Sequence, residues 1–104
     1  MQIVPLQPIP NQTLTVNLDG QITQINVYQR GASMFVDVLV NNVLIVGGVI
    51  CQNLNRVVRS LYLGFQGDLA FMDNQGSTDP VYTGLGTRYS LAYIEPDELL
   101  PNEG

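Results

Sequence analysis

Residues 12–51 read QTLTVNLDGQITQINVYQRGASMFVDVLVNNVLIVGGVIC, and the fold class is decided in this stretch. From Gln12 to Leu18, Leu14, Val16 and Leu18 fall on one side and Thr13, Thr15 and Asn17 on the other, the period-two mark of a half-buried strand. Asp19-Gly20 separates this run from QITQINVY, and that dipeptide readily supplies the positive φ values a type I′ hairpin turn requires. Inside the second run the spacing from Ile22 to Ile25 is odd while that from Ile25 to Val27 is even, and this slip of phase predicts a bulge near Thr23 and Gln24. After a turn at Arg30–Ser33, MFVDVLV is apolar at nearly every position except Asp37 and reads as a strand covered on both faces. Asn41 and Asn42 tolerate positive φ and lead into VLIVGGVIC as a second short-loop hairpin. Gly47 and Gly48 there mark a bulge, a bend or a close backbone approach.

Outward from this centre the pattern continues. Before it, Pro5, Pro8 and Pro10 fix φ at close spacing and favour an extended arm lying over the domain. After it, NLNRVVRS (53–60) carries Leu54, Val57, Val58 and Leu61 at helical spacing with Asn53 as a candidate N-cap, so a helical turn or a connecting loop fits. Residues 62–73 (YLGFQGDLAFMD) give a Gly-punctuated entry and a strand around Leu69 and Phe71, and DNQG (73–76) is a turn. Ser77–Gly86 lacks periodicity and contains Pro80, Gly84 and Gly86, a surface loop of a length that often serves contacts. TRYSLAYIE sets Tyr89, Leu91 and Tyr93 on one face before Pro96. The expectation is an all-β fold: a small antiparallel β-barrel or sandwich of about six strands with at most one short helix. One β domain spans 1–104, with a Pro-rich extended arm at 1–11 and an acidic flexible tail at 96–104.

Composition narrows the function classes. The chain has 104 residues, enough for one core, and only 12% of them are charged against 45% hydrophobic, which excludes disorder and coiled coil. Four Arg and no Lys or His stand against nine acids, a net charge of −5, which repels nucleic acid. The longest apolar run, Val43–Cys51, is too short for a membrane helix, and Met1–Pro10 has no secretory pattern, so the reading keeps the protein in the cytoplasm where it is made. So low a charged share also suits a protein that works against neighbouring subunits.

Catalytic ingredients are scarce. Without His no His-based triad or dyad exists, and without Lys there is neither a Schiff base nor a phosphate-binding P-loop lysine. Cys51 ends an apolar strand and reads as an inert, buried thiol. A carboxylate pair such as Asp37 with Asp68 is the one enzymatic option. DNQGSTD (73–79) collects oxygen ligands but lacks the order of a calcium loop and reads as a turn. No cofactor or metal is expected. A ligand- or carbohydrate-binding β module is the alternative function, and it requires Tyr82, Tyr89 and Tyr93 to share one exposed face.

Two stretches carry a resemblance. Ile3–Gln21 (IVPLQPIPNQTLTVNLDGQ) and Tyr62–Pro96, with Pro5 and Pro10-Asn11-Gln12, Gly64-Phe65, Gly67 and Leu69, Asp79-Pro80 and Tyr82, then Leu85-Gly86-Thr87 and Tyr93, resemble the baseplate plug proteins of contractile-tailed bacteriophages of the cyanophage type. The middle, Gln29–Ser60, is less distinctive, with Met34 and Phe35 standing where the family has an aromatic-rich strand. The resemblance implies a β-rich structural protein of the virion tail baseplate, near the tube and spike and assembled in the host bacterial cytoplasm. It also implies other phage tail or baseplate proteins as partners, with self-association as a further option, and no nucleic acid, membrane or small-molecule substrate. On this reading the contacts run through the Pro-rich arm, the Thr78–Gly86 loop or an exposed edge strand. The candidate interface residues are Pro5, Pro8, Pro10, Asp79, Pro80, Tyr82 and Leu85.

Overall fold

The structure is a computed structural model that describes residues 2–58 and 65–95. Seven strands, β1 (Gln2–Val4), β2 (Asn11–Leu18), β3 (Gln21–Arg30), β4 (Ser33–Val40), β5 (Val43–Ile50), β6 (Asp68–Asp73) and β7 (Tyr89–Ile94), form two antiparallel sheets, ordered β2-β3-β4-β5 and β1-β7-β6. Neither sheet closes into a barrel, so the sandwich alternative holds. The larger sheet is a meander. Asp19 (φ 56) with Gly20 (φ 82), and Asn41 (φ 50) with Asn42 (φ 67), give its first and last turns the paired positive angles of type I′, as their residue types predict.

The core lies where the two sheets face each other. Ile25 sits opposite Val38 and Val27 opposite Val36, all fully buried, while Leu69, Phe71, Leu91 and Tyr93 fill the facing side. Phe65 meets Tyr93 edge to face at 5.9 Å, and the Tyr93 hydroxyl donates to the Gln66 carbonyl at 2.7 Å, which lets the phenol be buried without an orphaned polar group.

Several expectations are corrected. The β2–β3 register runs unbroken from Asn11↔Tyr28 to Leu18↔Gln21, so there is no bulge at Thr23 and Gln24. Thr23 itself occupies the core face, fully buried with its hydroxyl donating to the Gln21 carbonyl at 3.1 Å, and Ile22 points outward at 50% exposure. The bulges fall in β5. Val36↔Val49 is followed by Val38↔Val46 and then Leu39↔Leu44, which leaves extra residues on β5 around Gly47-Gly48 and at Ile45. β4 is covered on one face only, since Phe35, Asp37 and Leu39 remain half-buried. No helix forms at 53–58, where Leu54 turns left-handed (φ 64). That segment instead runs along β6, with Leu54 and Val57 N–H groups donating to the Phe71 and Leu69 carbonyls at 2.8 Å. The rest of the helical candidate, the entry at Tyr62 and the tail 96–104 lie outside the described residues.

Candidate interface

The Pro-rich arm is anchored before its prolines begin. β1 pairs with β7 (Gln2↔Tyr93, Ile3↔Ala92, Val4↔Leu91), and Val4 and Leu6 enter the core. Gln12 then clamps the chain from below: its Nε2 donates to the Gln7 carbonyl at 2.7 Å and its Oε1 accepts from the Gln7 N–H at 3.0 Å. Pro5, Pro8 and Pro10 lie exposed along this stretch with Ile9, and the Pro10 carbonyl accepts from the Gln29 N–H at 3.0 Å.

Asp73 organises the loop between β6 and β7. Arg88 approaches it as a fork, Nε to Oδ1 and Nη2 to Oδ2, both at 2.8 Å, while the Gln75 and Thr78 N–H groups donate to the same carboxylate at 2.9 Å. The Arg88 guanidinium holds the Asp73 carboxyl well below its usual range; burial opposes this, and the Thr78 and Gln75 amides reinforce it. With its oxygens so occupied, the DNQGSTD stretch is a turn built on one ion pair. Beyond it the Thr78 and Tyr89 hydroxyls are bonded at 2.9 Å, and Asp79 accepts from the Asn53 N–H at 3.0 Å. A 3₁₀ turn at Tyr82–Gly84 leads to Leu85.

Arm and loop meet at one point. Gly86 (φ 84) passes so close to the Leu6 backbone that any side chain there would run into the Leu6 carbonyl oxygen. Of the seven candidate residues, Pro5, Pro8, Pro10 and Asp79 are exposed and Tyr82 is half-buried, whereas Pro80 and Leu85 are buried and support the loop from beneath. The sequence alone points to neither the Leu6–Gly86 contact nor the Asp73–Arg88 pair. The only hints were a Gly pair flanking Leu85 and an Asp at the start of a turn.

A second surface is the outer face of the large sheet, where a row of hydrogen bonds crosses its four strands. Thr13 donates to Asn26 Oδ1 at 3.0 Å, Asn26 Nδ2 to Asp37 Oδ2 at 3.3 Å, and the Gly48 N–H to Asp37 Oδ1 at 2.7 Å, where the Tyr28 hydroxyl also donates at 2.9 Å. Burial opposes the charge on Asp37, but the donors from Gly48, Tyr28 and Asn26 outweigh it and hold the carboxyl below its usual value. Apolar side chains flank the row: Tyr28, Phe35 and Ile50 on one side, Leu39 and Leu44 on the other. A depression of 340 Å³ beside it is lined by Asn11, Thr13, Tyr28 and Arg30 among others.

The carboxylates weighed as a pair are set apart. Asp37 lies on the outer face of one sheet, whereas Asp68 is buried in the other and accepts the Val58 and Leu69 N–H groups. Burial pushes the Cys51 thiol up to about 12. Among the described residues no three His, Cys, Asp or Glu side chains gather as metal ligands, and no helix is long and apolar enough to cross a membrane. Tyr89 and Tyr93 are buried, so the shared exposed face that a carbohydrate module needs does not form. Compared with known protein families, residues 1–97 match the model described as cyanophage baseplate Pam3 plug gp18. No curated protein matches the chain.

Proposed function

Because the chain belongs to the cyanophage baseplate plug family, we propose that it is a structural part of a contractile tail baseplate, seated near the tube and spike and acting by protein–protein contact, without catalysis. The single observation that carries this reading is the family match over residues 1–97. The geometry is in keeping with it. The arm and loop are stiffened by prolines, by the Gln7–Gln12 clamp and by the Asp73–Arg88 pair, so a partner binding Pro5, Pro8, Pro10, Asp79 or Tyr82 would pay little ordering entropy. A net charge of −5 also keeps a component beside the path of ejected DNA from holding its phosphates. Pro80 and Leu85 contribute on this reading by shaping the loop from within.

The test is fractionation of purified virions. Tails stripped of capsids and washed in high salt should retain the chain at fixed ratio to the spike and tube proteins, and labelling should place it at the baseplate end. Loss of the chain in the wash, or label along the whole tube, would overturn the assignment.

A further inference from the structure

The two sheets treat their edges differently. In the small sheet the outer edge of β6 is sealed by residues 53–57, and β1 is only three residues long. In the large sheet both edges are eight-residue strands, β2 and β5. Among the described residues no strand lies beside either; the Gln2 side chain donates to the Asn17 carbonyl of β2 at 3.5 Å, and the Gln12 side chain near the start of β2 bonds the Gln7 backbone. Proteins ordinarily guard such edges with charges or prolines inside the strand. Here no charged side chain precedes Asp19 and none lies between Asp37 and Arg56, and neither strand contains proline. β5 also exposes Val43 (62%), Leu44 (59%) and Ile50 (42%).

Strand direction suits a second copy of the chain as the occupant. Each pairing in the β2-β3-β4-β5 meander is antiparallel, so β2 and β5 run in opposite senses. A second copy rotated about an axis along the strands keeps its orientation and presents its β2 antiparallel to the first copy's β5. Both strands have the same length. Both also lie in charge-free stretches of a chain with net charge −5, which lessens the repulsion between copies that meet there.

We propose that this chain self-associates head to tail, the β5 edge of one copy pairing with the β2 edge of the next, so that the large sheets join into a closed ring. The bulges around Gly47-Gly48 shorten each joint, and one short joint falls below the area of a stable interface. Closure gives every copy two joints and makes the assembly all-or-none. The inference extends the reading that this protein works by contact, and it stands on the sheet alone.

The experiment uses the full chain and two variants that alter exposed positions, Val43→Lys/Leu44→Lys on the β5 edge and Thr13→Lys/Thr15→Lys on the β2 edge. Circular dichroism serves as the folding control. Light scattering on size-fractionated protein, up to millimolar concentration, should give the wild type one discrete multiple of 11.4 kDa and each variant the single-chain mass. Mixing the two variants should leave both at the single-chain mass, since together they can form only one joint and cannot close a ring, and larger particles in the mixture would overturn the proposal. A wild type that stays monomeric throughout overturns the proposal while leaving baseplate residence to the tail fractionation. Loss of assembly in only one variant overturns it in favour of a two-fold joint through that edge, and assembly surviving in both variants overturns it in favour of another surface.

Discussion

Replacing Gly86 with alanine measures how firmly the arm is tied to the loop, provided Gly20→Ala is measured beside it. The two glycines share almost the same backbone, φ 84 and φ 82, but a methyl at Gly20 meets nothing within 4 Å, whereas a methyl at Gly86 collides with the Leu6 carbonyl. Each variant places an L-residue in the left-handed region at a cost of about 1–2 kcal/mol. At Gly86 the Leu6 backbone must also retreat. Leu6 is 8% exposed, and loosening it forfeits much of a burial worth about 1.5–3 kcal/mol. The expected losses are therefore about 1–2 kcal/mol for Gly20→Ala and about 3–5 kcal/mol for Gly86→Ala. Urea unfolding followed by circular dichroism gives both values, and hydrogen exchange should speed up at Val4 and Leu6 only in the Gly86 variant. Equal losses, with the arm amides unchanged, would refute the claim that arm and loop are one unit.

Three further outcomes follow from the geometry. Asp73 has a lowered pKa in the folded chain, so the stability it contributes is complete above the ordinary carboxylate pKa of about 4 and fades as pH falls from there toward the folded value. Asp73→Asn should therefore lower the urea midpoint at neutral pH and flatten the acid limb of its pH profile. Ile22→Ala should change stability by no more than about 0.5 kcal/mol, and Ile25→Ala should cost about 2–5 kcal/mol, because the first side chain faces water and the second the core; similar losses in equilibrium unfolding would mean the β3 register is wrong. The Cys51 thiol, buried and pushed up to about 12, should react with iodoacetamide at pH 8 only as fast as the chain opens, with denaturant restoring ordinary reactivity.

The meander was legible because its turns and periods are local. Asp19-Gly20 names its turn type, Asn41-Asn42 marks a tight turn that tolerates positive φ, and the alternation of Leu14, Val16 and Leu18 names a face. The β3 face was misread because a Thr whose hydroxyl bonds a nearby carbonyl fills a core position as well as Val does, so Thr23 left no apolar mark. At 53–58 the connecting segment forms in place of the helical turn, because one helical repeat of Leu54, Val57 and Val58 is too short to outweigh backbone bonds to β6, a strand that comes later in the chain. In the loop, Pro80 and Leu85 were read as surface because loops usually are, but their burial depends on packing that spacing along the chain does not encode. The Asp73–Arg88 pair and the Leu6–Gly86 contact join distant segments and have no local signature.

Asp37 has a wider consequence for β4, whose sequence MFVDVLV carries apolar residues on both sides. A slip of one residue would swap Met34, Val36 and Val38 for the bulkier Phe35 and Leu39, which offset part of the apolar burial lost. It would also drive a carboxylate into the interior, away from the Gly48 amide and the Tyr28 hydroxyl. A single charge thus acts as the compass of the sheet: it tells an otherwise ambidextrous strand which way is out.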